Sequence, residues 1–225
     1  MTPLSGVGAA NLALIGRPDL HATLTKLHFW SLAEYSRVLY LDADTLVLSN
    51  VDHLFDLPDS ITFAAAPELG FPDCFNAGVM LITPDERTYA DLLDFAKIHE
   101  SFDGGDQGLL NVFFGDGTYG HPAKEALREN SDANGTKALA DGDTSRNWYR
   151  LSFTYNMEMH KVYRMYISAV QRYKDEHKIL HFIGKDKPWH FTDGKVDDEG
   201  DTSAYFKFYV DMVGKWWDIR RSLKA

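Results

Sequence analysis

The sequence predicts an α/β protein with a mostly parallel sheet, because short apolar runs alternate with segments of helical periodicity. Three runs carry the strand prediction: Val38–Leu41, Ile61–Ala66 and Gly78–Ile82. Runs of this length and continuity are typical of strands buried on both faces. Ligands of such folds bind beyond the carboxyl ends of the strands, so polar residues that follow a strand are the first candidates for a site.

Along the sequence, helices are predicted before the first of these strands and after the third. Apolar residues recur at helical spacing from Thr23, and the pattern ends near Ser36. After the third strand, Thr83 is predicted to cap a helix, with Pro84 at its first position and Glu86 completing a capping box. Another helix is predicted from Asp106.

The rest of the chain completes one predicted domain over residues 1–225. Residues 115–147 are rich in Gly, Asp, Asn, Ser and Thr, which favours a mobile insertion over core structure. Ile179–Ile183 is predicted as a further strand, and residues 203–223 as a C-terminal helix.

Composition excludes several classes of protein. The formal net charge of −10 argues against binding to nucleic acid. The single cysteine, Cys74, cannot form an intramolecular disulfide and favours a reducing compartment. Neither a signal peptide nor an apolar run long enough to span a membrane is evident. We therefore expect a soluble, cytoplasmic protein that does not bind membranes.

A metal site is predicted at Asp42-Ala43-Asp44, directly after the first strand. Two carboxylates in this position are costly unless a cation neutralises them. His181, at the end of a later strand, is the natural third ligand, and an imidazole beside carboxylates favours Mn²⁺ over Mg²⁺. The alternatives are a solvated turn for the two aspartates and a packed core residue for His181.

Residues that suit a diphosphate follow the strand of His181. Gly184 allows close approach of the backbone, and Lys187 offers a positive charge. Lys26 is a second candidate cation, although an ordinary surface lysine is the alternative.

Two segments carry groups that suit a sugar. Asn76 has the paired donor and acceptor that a hydroxyl needs, although Asn-x-Gly is also a common turn. Residues 103–108 place Asp103, Asp106 and Gln107 around a glycine hinge at a helix start. A capped helix with a glycine-rich entry would show the same pattern.

Five segments of the sequence together resemble the glycogenin family of retaining glycosyltransferases. They occur in the family's order and with similar spacing, and they cover roughly residues 14–115 and 148–192. The segments are Thr23–His28, Leu41–Leu48, Pro72–Val79, Ser101–Asn111 and His181–Gly184 with Lys187–Trp189. The resemblance implies a Rossmann-like nucleotide-sugar transferase fold. It also implies a Mn²⁺-dependent glucosyltransferase that uses UDP-glucose and builds a short glucan on a tyrosine of its own chain, priming glycogen synthesis.

The resemblance also implies roles for individual residues. Asp42, Asp44 and His181 would hold the metal. The implied contacts to the nucleotide sugar are Arg17, Lys26, Ala43, Gly184 and Lys187 on the nucleotide side and Asn76, Ala77, Asp103, Asp106 and Gln107 around the glucose. Asp106 would orient the acceptor or shield the oxocarbenium-like centre, with Lys26 and Gln107 beside it.

In the family that the sequence resembles, the acceptor tyrosine lies between a Tyr-Asn pair and the metal-binding histidine, which correspond here to Tyr155-Asn156 and His181. Tyr163 matches the family's position, and Tyr166 is the second candidate. Residues 158–172 are more charged than in the family and indicate a helix, so an amphipathic helix with surface tyrosines is the alternative.

One departure from the family concerns the uridine pocket, whose strand and helix lie upstream of anything in this sequence. Either the chain is an incomplete form, or residues 1–14 substitute for the strand. An exposed sheet edge would favour a homodimer. Two other functions stay open: a galactinol synthase-like enzyme with a small-molecule acceptor, and an inactive pseudoenzyme that binds a glycogen synthase through its C-terminal helix.

Overall fold

A computed structural model describes residues 18–70, 73–99, 101–115, 148–159, 165–196 and 200–223. Four expectations lie outside these residues: the nucleotide contact of Arg17, the acceptor Tyr163, a substitute strand at residues 1–14 and the insertion predicted for residues 115–147, of which only residue 115 is described.

Strands and helices alternate along the described chain. The strands are β1 (Val38–Leu41), β2 (Thr45–Val47), β3 (Phe63–Pro67), β4 (Phe75–Ile82), β5 (Tyr149–Arg150), β6 (Met157–Glu158) and β7 (Ile179–His181). The α-helices are α1 (Glu86–Ile98), α2 (Asp106–Phe114), α3 (Ile167–Arg172) and α4 (Ala204–Ser222). Helices of the 3₁₀ type occupy Pro18–Ser31, Asp52–Asp56, Phe153–Tyr155, Pro188–His190 and Thr192–Gly194.

The strands form two mixed sheets, which confirms the α/β class. One sheet has the order β1-β4-β3-β5 and the other the order β2-β7-β6. β3–β4 and β2–β7 pair antiparallel, whereas β3–β5 and β6–β7 pair parallel. The sheets are therefore less parallel than the sequence predicts. β3 and β4 pair antiparallel because only seven residues connect them. Parallel neighbours would need a crossover of a dozen residues or more.

Contacts along the described chain divide it into two compact units. Unit 1 comprises the described residues of Met1–Tyr40 and Asp52–Leu151, and unit 2 those of Leu41–Val51 and Ser152–Ala225. Unit 2 thus joins the turn that carries the two aspartates to the strand that carries His181.

The core of unit 1 is strongly aromatic. Phe63 of β3 stacks on Phe114 of α2, with ring centroids 4.2 Å apart, and Trp30 stacks on the same Phe114 at 5.5 Å. All eight residues of β4 are buried, so this strand has no solvent-facing side. β4 and α2, which carry the polar residues of unit 1, are therefore held on a tightly packed base.

Several boundaries differ from the sequence prediction. Strand β3 begins at Phe63 rather than Ile61, β4 begins at Phe75 rather than Gly78, and the first helix is of the 3₁₀ type and ends at Ser31 rather than near Ser36. Helix α1 begins at Glu86 and is capped by Asp85, whose carboxylate accepts a hydrogen bond from Thr88 N at 2.6 Å. Thr83 is not the cap, because its N–H donates to Thr62 O and continues the sheet ladder. Strand β7 ends at His181 rather than at Ile183, because Ile183 N turns back to donate to His181 O at 3.0 Å and Gly184 adopts φ = 84°.

Strands β2, β5 and β6 are short and were not predicted. The segment expected to be helical from residue 158 instead begins with the end of β6 and forms α3 only from Ile167. The C-terminal helix is confirmed as α4, with Ser203 as its N-cap. In the part of the chain that the structure describes, none of the helices has the length and apolar character that a membrane crossing needs.

Candidate functional site

The two aspartates of unit 2 lie on one tight turn that leads from β1 into β2. Thr45 closes the turn by donating to Asp42 O from its backbone N–H at 3.1 Å and from its hydroxyl at 2.8 Å. β2 then pairs with β7 in a register that sets Thr45 opposite His181. The turn and the register together bring carboxylates from the first half of the chain to an imidazole from its end.

The three side chains form a compact group of metal-binding type. His181 Nε2 lies 3.2 Å from Asp44 Oδ1 and 3.8 Å from Asp42 Oδ2, and one ligand atom from each residue lies within 4.8 Å of the others. Adjacent ligands of an octahedral ion, each at roughly 2.1 Å from it, are about 3 Å apart. His181 is buried and the carboxylates are partly exposed, so an ion would reach the group from the carboxylate side.

Asn156 fixes the orientation of His181. Its side-chain Oδ1 lies 3.0 Å from His181 Nδ1, and because this oxygen can only accept, the proton of the neutral imidazole resides on Nδ1. Nε2 then presents its lone pair toward the aspartates. A lone pair and carboxylate oxygens repel one another unless a cation or a proton lies between them. Supporting contacts of this kind hold metal-binding histidines in place.

Lys187 lies on the same group. Its ammonium donates to Asp44 Oδ2 and to Phe182 O, the latter at 2.5 Å. Burial raises the pKa of Asp44, but hydrogen bonds and positive charge from His181 in its protonated form and from Lys187 outweigh it and hold the pKa well below its ordinary value. Gly184 lies in the turn between His181 and Lys187, and its φ of 84° is a conformation that favours glycine.

An ion pair lies at the start of α2 in unit 1. Lys26 Nζ is 2.7 Å from Asp106 Oδ2, and the two side chains are 13% and 9% exposed. The same ammonium donates to Ala77 O at 3.3 Å and lies 4.9 Å from the ring centroid of Tyr40. Lys26 is therefore not the ordinary surface lysine that the sequence left open, because it is largely buried and tied to β4 and α2.

Two carboxamides stand beside this ion pair. Asn76 Oδ1 accepts from Gly78 N at 2.9 Å, and Gln107 Oε1 accepts from Ala77 N at 3.0 Å. Both NH₂ groups donate to Glu68 Oε2, from Asn76 at 2.9 Å and from Gln107 at 3.3 Å. The structure thus gathers Lys26, Asn76, Asp106 and Gln107 into one polar cluster of unit 1.

Asp103 has a structural role in the loop before α2. Its Oδ1 accepts from Ser101 Oγ at 2.6 Å, Gly105 N at 2.9 Å and Gly108 N at 3.0 Å. A Cβ at Gly108 would lie 2.4 Å from this same oxygen, so only glycine allows the approach. This oxygen of Asp103 is committed to shaping the loop, whereas the sequence predicted a contact with sugar.

The structure therefore brings the predicted residues together in two groups, one within each unit. Ala43 lies in the turn between Asp42 and Asp44, and Ala77 contributes backbone atoms to the cluster of unit 1. Tyr166 is half exposed at the start of α3. Sequence reasoning missed Glu68 and did not give Asn156 its role beside His181. Glu68 follows a strand, which could have marked it, whereas no local pattern marks Asn156.

Comparisons with a family model and with curated proteins point to the same family. The model of glycosyl transferase family 8 matches residues 16–193. The chain is 45% identical to glycogenin-1 of Caenorhabditis elegans over 80% of its length, 41% to that of Homo sapiens over 94%, and 39% to that of Oryctolagus cuniculus over 94%. It spans only 35%, 53% and 55% of those proteins, respectively.

Solved structures show the same fold at low identity. The glycosyltransferase GlyE of Streptococcus pneumoniae TIGR4 aligns with a TM-score of 0.51 and 23% identity, covering 88% of this chain and 47% of GlyE. The bifunctional enzyme WbbM aligns with a TM-score of 0.52 and 18% identity, covering 84% and 35%. These likenesses confirm the predicted Rossmann-like nucleotide-sugar transferase fold.

Proposed function

Because the chain belongs to glycosyl transferase family 8, we propose that it transfers glucose from UDP-glucose, with Mn²⁺ as its metal and a tyrosine of its own chain as acceptor. The observation that carries the proposal is the group formed by Asp42, Asp44 and His181. Two carboxylates and one imidazole are the ligand types that hold a divalent cation beside a diphosphate.

The donor set of this group fits Mn²⁺. The lone pair of His181 Nε2 faces two carboxylate oxygens, and three acceptors at these distances repel one another unless a cation lies among them. When bound, the metal would offset the charge that develops on the departing diphosphate. The imidazole favours Mn²⁺ over Mg²⁺, whose usual ligands are oxygens.

Lys187 would bind a diphosphate oxygen. In a chain of net charge −10 an anionic donor is repelled, so positive side chains near the metal group matter for binding. Lys187 already lies against Asp44, and a short movement of its flexible stem would let it donate to phosphate instead. Gly184 would let the backbone approach the same group, because it has no side chain.

The cluster of unit 1 would bind the sugar. The carboxamides of Asn76 and Gln107 each offer a donor and an acceptor, which suits a pair of hydroxyl groups. Asp106 would stabilise the positive charge of an oxocarbenium-like centre, and Lys26, paired with it at 2.7 Å, would keep that carboxylate ionised and in place. Retention of configuration follows from the resemblance and is part of the proposal.

The test is the intact mass of the purified protein after incubation with UDP-glucose and Mn²⁺. We expect a ladder of added hexose masses that disappears when Mn²⁺ is chelated or when Asp44→Asn is introduced. Asp175→Asn is a matched control, because Asp175 is an exposed aspartate in the same unit and outside the metal group. A wild-type chain that gains no mass, while an active transferase does in parallel, would exclude self-glucosylation.

Further variants and assays separate the acceptors and the alternative functions. Tyr163→Phe should abolish the ladder but spare hydrolysis of UDP-glucose, and Tyr166→Phe should leave both intact. A disaccharide-like product with a polyol, without added protein mass, would instead favour a galactinol synthase-like enzyme. Absence of every product, together with no thermal stabilisation by UDP and Mn²⁺, would favour a non-catalytic binding role.

The partners belong to the same proposal. A homodimer, binding to a glycogen synthase and a cytoplasmic location remain predictions, to be checked by sedimentation, co-purification and fractionation.

A further inference from the structure

Glu68 is a carboxylate that neither the metal group nor the sugar-binding groups include, yet one of its oxygens holds two of the residues proposed to contact sugar. Oε2 accepts from Asn76 Nδ2 at 2.9 Å and from Gln107 Nε2 at 3.3 Å. We propose that Glu68 is a positioning residue for glucosyl transfer, which fixes the direction in which these two carboxamides present their donors and acceptors. The inference rests on the proposed function.

Each carboxamide is bound at both of its ends. The carbonyl oxygen of Asn76 accepts from Gly78 N, and that of Gln107 accepts from Ala77 N, while both NH₂ groups donate to Glu68. A flip of either amide would place its NH₂ group against a backbone N–H and its oxygen against a carboxylate. Both hydrogen bonds of that amide would be replaced by repulsion between like groups, so Glu68 selects one orientation.

The backbone holds Glu68 firmly in this place. It directly follows β3, and its N–H donates to Cys74 O at 2.9 Å, which closes the connection between β3 and β4. The pairing of these strands is irregular between Ala65 and Pro67. In this stretch of β4 the N–H of Ala77 is satisfied by the side chain of Gln107. The positions of the carboxylate and of the amides are thus set by one local structure.

Glu68 also acts on the ion pair through Gln107. Ala77 accepts from Lys26 at its carbonyl and donates to Gln107 from its N–H, and Lys26 pairs with Asp106. Without Glu68, the amide of Gln107 loses its fixed end and can turn away from Ala77. The backbone that supports Lys26 then loosens as well. A displacement of about 1 Å in reacting groups can lower a rate by roughly 100-fold.

The properties of the carboxylate predict an order among substitutions. Glu68→Gln keeps an oxygen of the same reach, which can still accept from both amides, so it should retain most of the function. Glu68→Ala removes both hydrogen bonds. Glu68→Asp keeps the charge but shortens the side chain by one methylene, so its oxygen falls short of the amides.

The experiment measures hydrolysis and transfer of UDP-glucose by the wild-type chain and by Glu68→Ala, Glu68→Asp and Glu68→Gln. We expect kcat to fall by about 10- to 100-fold in Glu68→Ala and Glu68→Asp, with KM changed less than threefold and Glu68→Gln within about fivefold of the wild type. Glu34→Ala, at an exposed carboxylate of the same unit, is the control.

A second measurement follows the side-chain amide resonances of Asn76 and Gln107 in ¹⁵N-labelled protein. In Glu68→Ala, the resonances of both amides should shift, and their protons should exchange faster with solvent. In Glu68→Gln, both resonances should stay near their wild-type positions. Unchanged resonances in Glu68→Ala, or wild-type kcat in a folded Glu68→Ala, would overturn the positioning role. A wild-type chain without activity would refute the proposed function, and the resonances would still decide whether Glu68 orients the amides. Should Glu68→Ala fail to fold, equal losses of kcat in Glu68→Gln and Glu68→Asp would overturn the proposal.

Discussion

Asn156 allows the supporting structure of the metal group to be tested apart from its ligands. Its side chain is fully buried, and its Oδ1 accepts from His181 Nδ1 at 3.0 Å. In Asn156→Ala, the Nδ1 proton of a neutral imidazole loses this acceptor in a place that is closed to bulk water. A buried donor left without a partner costs about 1–3 kcal/mol.

The imidazole can avoid this cost in two ways, by rotating or by moving its proton to Nε2. Either response removes the lone pair that faces Asp42 and Asp44 and therefore weakens metal binding. Since about 1.4 kcal/mol corresponds to a tenfold change, we expect Asn156→Ala to bind Mn²⁺ roughly 10- to 100-fold more weakly, in line with losses of supporting residues at other metal sites.

The assay is titration calorimetry with Mn²⁺ in the presence of UDP, together with thermal melting of the free protein. Thr154→Val is the matched control, because Thr154 is a buried neighbour whose hydroxyl bonds to Ser152 Oγ instead. A folded Asn156→Ala that binds Mn²⁺ as tightly as the wild type would refute the argument. An equal loss of Mn²⁺ affinity in Thr154→Val would indicate that the loss comes from general destabilisation of the fold and not from the contact with His181.

Three further predictions concern stability. Gly108→Ala should lower the free energy of unfolding by about 1–3 kcal/mol in urea titrations, because the new Cβ would lie 2.4 Å from Asp103 Oδ1; Gly214→Ala in α4 meets no atom within 4 Å and should be neutral or stabilising. Asp85→Ala should cost about 1 kcal/mol through loss of the α1 cap, whereas Asp85→Asn should cost less, and equal losses would argue against the cap. Burial lowers the pKa of His177 below its ordinary value, against the opposing charges of Glu176 and Asp175, so the unfolded chain binds its proton first. The free energy of unfolding should therefore not be reduced by His177 above about pH 6.5 and should decline as the pH falls below that value. His177→Gln should make this decline less steep, although burial of His99 contributes in the same direction.

Local patterns predicted the parts of this fold that local forces determine. The apolar run Val38–Leu41 became β1 with the expected bounds, and the two aspartates after it lie where a strand end places them. The helix start was misplaced because Thr83 and Asp85 are both good caps and only the sheet ladder, which engages Thr83, decides between them. Local sequence could not reveal this competition.

The parts that the sequence did not reveal depend on partners distant along the chain. Asn156 meets His181 only because β6 and β7 pair, and Glu68 meets Gln107 only because α2 packs on β4. A single residue gives no indication of such a contact. The motif and the resemblance to a family predicted that Asp42, Asp44 and His181 come together, as they do in the structure, but they did not indicate the residues that orient them.

The metal group of unit 2 has one structural dependence that follows from these contacts. β2 and β7 are joined by only three residue pairs, and a slip of one residue would turn His181 to the opposite face of the sheet. The register is secured at both ends, by Phe182 N donating to Asp44 O and by Leu48 N donating to Lys178 O. Lys178 N in turn donates to Thr154 O, in the segment that leads to Asn156. The ligands and their supporting residue thus share one hydrogen-bonded framework, so whatever loosens β2 from β7 should weaken metal binding, and bound metal should in turn stabilise that pairing.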